Sequence, residues 1–216
     1  MRYSLIVFDW DGTLLDSAAG IVESIQEASR EMGLQVPDAG RARHVIGLGL
    51  HDSLRIAVPD LPVESYAEFA ARYRKSFLAR EESMQLFSGI PELLAVLRRR
   101  EHLLAVATGK SRRGLERALA ASELGVHFAA SRCGDETHPK PHPAMLLELM
   151  DELSVEPAQV LMIGDTSHDL QMAKNAGVDA LGVTYGAHPE SALQALEPRG
   201  CVASVTELRS WLENHA

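Results

Sequence analysis

The sequence predicts an α/β fold in which a parallel sheet carries helices on both faces and a helical segment is inserted after the first strand. Short, unbroken apolar runs recur along the 216 residues, and such runs are typical of strands buried on both faces. Helical patterns separate these runs from about residue 88 onward, which is the alternation expected of βαβ units. The third observation is a long stretch without a strand pattern, from residue 17 to residue 84.

The apolar runs predict four strands. The first covers residues 5–8, where four large apolar residues follow one another. The others are expected at 103–107, at 160–163 and, with a weaker pattern, at 180–183. Helices are predicted between and after these strands, over residues 91–100, 112–121, 143–153, 170–176 and 205–214.

The inserted segment begins with a helical pattern. Ile21, Val22 and Ile25 lie on one side of this first helix, for which Asp16 or Ser17 is a candidate N-cap. A second long helical pattern covers residues 64–80. Its apolar side consists of Tyr66, Phe69, Ala70, Tyr73 and Phe77.

An insertion at the carboxyl end of a strand lies over the ligand crevice of an open α/β sheet, so this segment is a candidate lid. We expect an α/β catalytic core made of residues 1–16 and 87–216, and a helical cap made of residues 17–86.

An excess of acidic residues limits the partners of the chain. Lysine and arginine number 21 against 30 aspartates and glutamates, a formal charge of −9 that opposes binding to nucleic acid but permits a small phosphorylated substrate. No apolar run approaches the roughly 18 residues that span a membrane. Cys133 and Cys201 have no metal-type spacing, and a disulfide framework is not indicated. We expect a cytoplasmic protein without nucleic-acid or membrane partners; the sequence does not distinguish a monomer from a homodimer.

A pair of carboxylates follows the first predicted strand. Asp9 and Asp11 are two residues apart in extended chain, so both side chains point to the same side, and Gly12 permits a sharp turn beyond them. Two adjacent carboxylates repel each other unless a cation or a shared proton lies between them. Mg²⁺ is the natural cation for such an oxygen site. A polar strand end with a capping aspartate is the alternative interpretation.

A second acidic pair, Asp165 and Asp169, follows the predicted strand at 160–163. Because the carboxyl ends of parallel strands meet at one edge of the sheet, these residues are expected near Asp9. Taken alone, Asp165 could be a turn residue and Asp169 the N-cap of the next helix. Together with the first pair, three strand-end carboxylates around one divalent ion explain the pattern better.

Two further polar groups are candidates for binding an anion. Thr108 and Gly109 follow the strand at 103–107, where a hydroxyl and free backbone N–H groups can form an oxyanion cradle, although turn chemistry explains them about equally well. Lys140 lies between Pro139 and Pro141, which hold the backbone in a defined place. Its ammonium group could neutralise a phosphoryl oxygen, and removing it should cost activity with little loss of stability.

The four groups occur in the order found in a known family. The sequences DWDGT, TGK, KPHP and GDTSHD resemble the four motifs of the haloacid dehalogenase superfamily of aspartate-nucleophile phosphotransferases. The resemblance covers essentially the whole chain and implies a Rossmann-like core. The inserted segment looks like the smaller helical cap type of the family, and residues 176–186 are similar to the phosphoglycolate-phosphatase-like branch.

The resemblance implies a mechanism for a Mg²⁺-dependent phosphatase. Asp9 attacks phosphorus to form an aspartyl-phosphate, and Asp11 acts as general acid and then as general base. Thr108, Gly109 and Lys140 hold the phosphoryl oxygens. The metal is held by the side chains of Asp9 and Asp165 and by the backbone carbonyl of Asp11, and Asp169 supports the site through water or through a hydrogen bond to one of these ligands. A small phosphomonoester is the expected substrate, with phosphoglycolate the first candidate and a sugar phosphate or nucleotide next.

Other functions remain open on the same residues. A phosphosugar mutase, a nucleotidase and a pyrophosphatase would keep all four motifs. A true dehalogenase needs no metal, and the presence of Asp11 and of the second acidic pair opposes it. In a different class, a phospho-acceptor signalling protein would be nearer half this length, and a non-catalytic phosphate-binding protein would be expected to lose Asp9 or Asp11.

The sequence gives little information about the substrate-contacting residues of the cap. Arg43, His44 and His51 are candidate contacts for an anionic group, and solvated side chains are at least as good an interpretation. Three further histidines, His138, His142 and His168, are interpreted as exposed loop residues rather than metal ligands.

Overall fold

The computed structural model describes residues 2–216, so Met1, with which the predicted core segment 1–16 begins, lies outside the described residues. Six parallel strands form one sheet in the order β3-β2-β1-β4-β5-β6. The expected α/β class with a Rossmann-like parallel sheet is confirmed. The strands are β1 (Leu5–Phe8), β2 (Leu103–Thr108), β3 (Ala130–Cys133), β4 (Val160–Gly164), β5 (Asp179–Val183) and β6 (Cys201–Val202).

Both edge strands were absent from the sequence prediction. β3 contains a charged residue, Arg132, and three of its four residues are only half-buried, so it shows no continuous apolar run. β6 is only two residues long. A strand at the edge of a sheet is shielded on one side only and does not need the uninterrupted apolar pattern of a central strand.

The register of the central strands aligns their carboxyl ends. Phe8 at the end of β1 pairs with Val106 of β2 on one side and with Ile163 of β4 on the other. The polar residues that follow these strands therefore emerge at the same edge of the sheet.

Each face of the sheet is covered by helices, as predicted. Ile6 and Phe8 of β1 pack on one face with α5, α6 and α10, whereas Leu5 and Val7 pack on the other face with α7, α8 and α9. This alternation is the period of two expected for a strand that is buried on both faces. The core helices are α5 (Ile90–Arg99), α6 (Arg112–Ser122), α7 (Ala144–Leu153), α8 (Ser167–Ala176), α9 (Glu190–Gln194) and α10 (Val205–His215).

Four helices precede α5 and form a separate hydrophobic cluster above the sheet. The inner residues include Ile21 and Ile25 of the first helix and Phe69 and Phe77 of the fourth. Ion pairs from Arg80 to two glutamates of the first helix add surface contacts between the two long helices. The four helices are α1 (Ala18–Glu31), α2 (Ala39–His44), α3 (Leu50–Ala57) and α4 (Tyr66–Glu81).

Two linker segments connect these helices to the sheet and lie side by side. The N–H of Asp16 donates to the carbonyl oxygen of Gln85 at 2.9 Å, and that of Phe87 donates to the carbonyl oxygen of Leu14 at 3.0 Å. The helical cap over residues 17–86 stays a prediction, and the paired linkers support its boundaries.

Ser17, one of the two predicted N-caps of α1, uses its side chain for a different contact. Ser17 occupies the N-cap position, but its side chain makes no capping hydrogen bond. Its hydroxyl instead donates to the carboxylate of Asp11.

Among the described residues, no helix combines the length and the apolar character required to cross a bilayer.

Candidate active site

The sequence-predicted polar residues meet at the carboxyl edge of the sheet. Asp9 follows β1, Thr108 ends β2, Asp165 follows β4, and Lys140 lies in the loop before α7. All four side chains are buried, Lys140 and Asp165 completely. Burial of three charged groups is costly unless they are paired, so the contacts among them define the site.

Lys140 bridges two carboxylates. Its Nζ lies 2.7 Å from Oδ1 of Asp9 and 2.6 Å from Oδ1 of Asp169. Burial by itself lowers the pKa of Lys140, but the two carboxylates outweigh it and raise that pKa above the ordinary value. The lysine is therefore a fixed positive charge between the aspartates.

The surroundings of Asp9 make its ionised form less favourable than that of an exposed aspartate. Burial, together with the nearby carboxylate of Asp169, raises the pKa of Asp9 to about 7, although Lys140 acts in the opposite direction. Oδ2 of Asp9 has no hydrogen-bond partner among the described residues. A buried carboxylate oxygen without a partner is expected to face a ligand or cation.

Asp165 is fixed by donors from two distant segments. The hydroxyl of Thr13 donates to Oδ1 at 2.8 Å, and the backbone N–H of Ala187 donates to Oδ2 at 2.7 Å. Gly12 and Gly186 lie so close that a Cβ on either would overlap Oδ2. Burial raises the pKa of Asp165 well above its usual range, and the charge of Asp9 adds to the effect.

These carboxylates fit a divalent cation. One oxygen each from Asp9, Asp165 and Asp169 lies within 4.8 Å of the others. An oxygen-only cluster suits Mg²⁺, and a cation would stabilise the ionised forms that burial disfavours. Asp169 is the weakest of the three candidates, because Lys140 contacts its Oδ1, and the N–H and hydroxyl of Thr166 donate to its Oδ2 in a capping box at the start of α8.

Asp11 points away from this cluster. Ser17 donates its hydroxyl to Oδ1 at 2.7 Å, and Nζ of Lys110 lies 2.9 Å from Oδ2. The carboxylate is thus outside the group of metal-type oxygens and lines the cavity below the cap. A metal contact through its backbone carbonyl stays a prediction.

Thr108 and Gly109 lie where the cap meets the core. The Thr108 hydroxyl accepts a hydrogen bond from the N–H of Lys110 at 3.2 Å. A Cβ built on Gly109 would lie 2.6 Å from the carbonyl oxygen of Gly47, a residue of the loop between α2 and α3. The cap loop therefore rests directly on the predicted oxyanion loop, and only glycine permits this close approach.

The histidines are arranged differently from the prediction. His138 and His142 are exposed, as expected, and their ring centroids lie 4.5 Å apart. His168 is instead half-buried, and its Nε2 donates to the backbone carbonyl oxygen of His44 at 2.8 Å. Nε2 of His188 approaches the same oxygen at 3.1 Å, and its Nδ1 accepts from the N–H of Ser167, so this ring carries its proton on Nε2.

Two core histidines therefore hold the carboxyl end of cap helix α2. The ring nitrogens that reach the cap are engaged in these hydrogen bonds, which explains the His44, His168 and His188 cluster without a metal. The residues that line the cavity over Asp9 do not include Arg43, His44 or His51. The structure therefore does not support these three residues as substrate contacts.

Several functional side chains were missed in the sequence. Thr13 and Thr166 orient the acidic residues, and Ser17 and Lys110 contact Asp11. Thr13 lies inside the first motif and Lys110 directly follows Thr108 and Gly109, so their positions in the motifs could have identified them as site residues. No feature of the sequence indicated the contact of Ser17 with Asp11, because the position of Ser17 was explained by a helix N-cap.

Comparison with known proteins identifies the family of the chain. The family model described as haloacid dehalogenase-like hydrolase matches residues 6–183. The chain is 37% identical over 211 residues to the protein named probable phosphatase IndB of Dickeya dadantii, covering 94% of this chain and 91% of that protein. It is 34% identical over 226 residues to a 5′-nucleotidase of Pseudomonas aeruginosa, covering 100% and 98% of the two chains.

A third relative and a solved structure extend the comparison. The chain is 31% identical over 214 residues to a phosphoglycolate phosphatase of Vibrio vulnificus, covering 94% of this chain and 93% of that protein. The crystal structure of a predicted phosphatase from Clostridium acetobutylicum superposes with a TM-score of 0.87 at 27% identity, covering 99% and 100% of the chains. The chain therefore belongs to the haloacid dehalogenase-like hydrolase family and is an enzyme of the phosphatase type, related to the phosphoglycolate phosphatases.

Proposed function

We propose that the protein is a Mg²⁺-dependent phosphatase that hydrolyses a small phosphomonoester through an aspartyl-phosphate on Asp9. The observation that carries the proposal is the arrangement of Asp9: it is buried, it contacts Lys140 through one oxygen, and its other oxygen lacks a partner. A carboxylate so placed at the floor of a cavity has the position required of a nucleophile.

In the first step, an oxygen of Asp9 forms a bond to phosphorus while the bond between phosphorus and the alcohol oxygen breaks. Asp11 donates a proton to the departing alcohol. In the second step, water attacks the aspartyl-phosphate, Asp11 accepts a proton from that water, and inorganic phosphate leaves Asp9 free. Ser17 and Lys110 contact the Asp11 side chain and position it for both proton transfers.

The remaining residues stabilise the negative charge of the phosphoryl group. Lys140 supplies a fixed cation beside Asp9, and Thr108 with the backbone at Gly109 supplies neutral donors. Asp9 and Asp165, supported by Asp169 and the backbone of Asp11, would hold Mg²⁺, which when bound would neutralise charge on the phosphoryl oxygens.

Phosphoglycolate is the substrate predicted from the resemblance, and one relative named above carries that activity in its name. A 5′-nucleotide is the next candidate, since another relative is named a 5′-nucleotidase. Phosphosugar mutase and pyrophosphatase activities use the same residues and are distinguished by product analysis. A non-catalytic or phospho-acceptor protein is disfavoured, because nucleophile and acid are both present.

The test is the hydrolysis of p-nitrophenyl phosphate by the purified protein. EDTA should abolish turnover and Mg²⁺ should restore it. Asp9→Asn should lose essentially all turnover and should not take up ³²P in an acid-stable, hydroxylamine-sensitive form, whereas the exposed control Asp60→Asn should behave as wild type. Wild-type rates in Asp9→Asn would refute the assignment of Asp9 as nucleophile. Full activity after chelation would refute the dependence on Mg²⁺. Release of halide from a haloacid would identify a dehalogenase instead.

A further inference from the structure

We infer that the alcohol portion of the substrate is apolar, of the size of a branched five-carbon or phenylethyl group; this rests on the phosphatase function proposed above. The inference comes from the cavity beneath the cap. Its volume is about 240 Å³, and it extends from Asp9, Asp11 and Thr108 at the sheet edge to the inner side of the cap helices. The leaving alcohol of a substrate bound at Asp9 would occupy this space.

The cap side of the cavity is lined mainly by aliphatic and aromatic side chains. They come from α1, from α4 and from the segment between α2 and the end of α3. The principal members are Ile21, Ile25, Val45, Leu54, Phe69 and Phe77. Such a wall gains free energy when it covers apolar groups and provides no hydrogen bonds to a polar substrate.

Most polar groups near the cavity already have partners. Lys110 contacts Asp11, and Arg117 pairs with Glu81. The hydroxyl of Ser53 donates to carbonyl oxygens of its own loop. The ring of Phe77 also lies 4.8 Å from Nζ of Lys110, which helps to hold that ammonium group at the core side.

Two polar groups remain, and neither specifies a carboxylate deep in the cavity. Burial raises the pKa of Tyr73, so its phenol stays neutral and can donate a single hydrogen bond. Arg74 has no ion pair among the described residues, but it is an exposed residue although it lines the cavity. Lys110, a largely buried cation of the lining, is already paired with Asp11, so a substrate carboxylate against the apolar wall would be desolvated without a free counter-charge, which is costly.

An exposed leucine marks the entrance to the cavity. Leu50, the first residue of α3, lines the cavity and is 52% exposed. Because Leu50 lines the cavity and also reaches solvent, it is a position at which the apolar lining can be altered by substitution.

The experiment compares alkyl monoesters with the Mg²⁺-loaded enzyme. Ethyl, 3-methylbutyl and 2-phenylethyl phosphate have leaving alcohols of similar acidity, so differences in kcat/KM report contacts with the alcohol group. Each buried methylene is worth roughly fourfold in binding. We expect kcat/KM for the two larger esters to exceed that for ethyl phosphate and for phosphoglycolate by at least about tenfold.

Equal or lower kcat/KM for the larger esters, or a preference for phosphoglycolate, would overturn the inference while leaving the phosphatase function intact, provided p-nitrophenyl phosphate is hydrolysed. Failure to hydrolyse p-nitrophenyl phosphate as well would overturn both the inference and the phosphatase function.

Two variants locate the effect in the cavity. Ala70→Leu should fill the cavity and reduce kcat/KM for the larger esters only. Leu50→Asn should reduce the preference for the larger esters over ethyl phosphate at least about threefold. The matched control is Leu147→Asn, because this leucine is 47% exposed on α7 and does not line the cavity. An unchanged preference in both cavity variants would overturn the inference.

Discussion

The ammonium nitrogen of Lys140 lies 2.7 Å from Oδ1 of Asp9, and neither side chain is more than 1% exposed. Such burial is not visible in the sequence, from which loss of Lys140 was expected to have little effect on stability. The structure leads to a different prediction, because the lysine also contacts Asp169 and is the cation that compensates both buried carboxylates.

Lys140→Ala should therefore lose both activity and stability. We expect kcat to fall by about 10²–10³-fold, as for removal of one charge-stabilising donor, and the free energy of unfolding to fall by about 3–5 kcal/mol in metal-free buffer. Steady-state kinetics and urea unfolding measure the two effects. Lys174→Ala, on the exposed side of α8, is the control. Undiminished stability of Lys140→Ala would contradict the ion-pair argument.

Gly109→Ala should disturb the contact between cap and core. The added methyl group would approach the carbonyl oxygen of Gly47 at 2.6 Å, and backbone cannot yield as a side chain can. We expect the cap loop to be displaced and kcat/KM to fall by up to about 10²-fold, as for a 1 Å misplacement at a reacting centre, while the core remains folded. At Gly125, where an added Cβ meets only ordinary contacts, the same substitution should have no such effect. Wild-type kinetics in Gly109→Ala would show that the cap does not close in this way.

His168→Phe should weaken the attachment of α2 to the core. Phenylalanine retains the ring but cannot donate to the carbonyl oxygen of His44. Since one hydrogen bond contributes about 0.5–1.5 kcal/mol, we expect at most about a tenfold fall in kcat/KM and faster amide exchange in residues 39–44. The exposed His138, changed in the same way, serves as control. Unaltered exchange in α2 would contradict a role of His168 in holding the cap.

His102 should make the protein less stable in mild acid. Burial lowers the pKa of His102 below its ordinary 6.5, and its Nδ1 donates to the carbonyl oxygen of Tyr3 at 2.8 Å. The unfolded chain therefore binds a proton below about pH 6.5 that the folded protein does not, so stability falls as the pH drops through this value. His102→Asn can preserve a donor without titrating. Urea unfolding at pH 8 and at pH 5.5 should show a smaller loss for this variant than for wild type, and equal losses would exclude His102 as a source.

The amino-acid sequence was sufficient to predict the central sheet. β1 and β4 are enclosed by helices on both faces, so every position is apolar and the run is visible without any structure. The edge strand β3 escaped detection because only one of its four residues is fully buried. The catalytic candidates were equally accessible, since Asp9, Thr108 and Asp165 each occur at or directly after the carboxyl end of a strand, and parallel strands bring such positions together.

The tertiary structure alone decided how the cap and the core meet. The contacts of Gly47 with Gly109 and of His44 with His168 join residues 62 and 124 positions apart, and no local periodicity encodes them. Ser17 lies at the N-cap position that its spacing predicted, yet its hydroxyl donates to Asp11 and accepts no capping hydrogen bond; only the folded chain brings this carboxylate close to it. The apolar lining of the cavity likewise forms only when α1 and α4 lie over Asp9. The sequence predicts these side chains as the apolar sides of two helices, and in the structure they also line the cavity in which the substrate is proposed to bind.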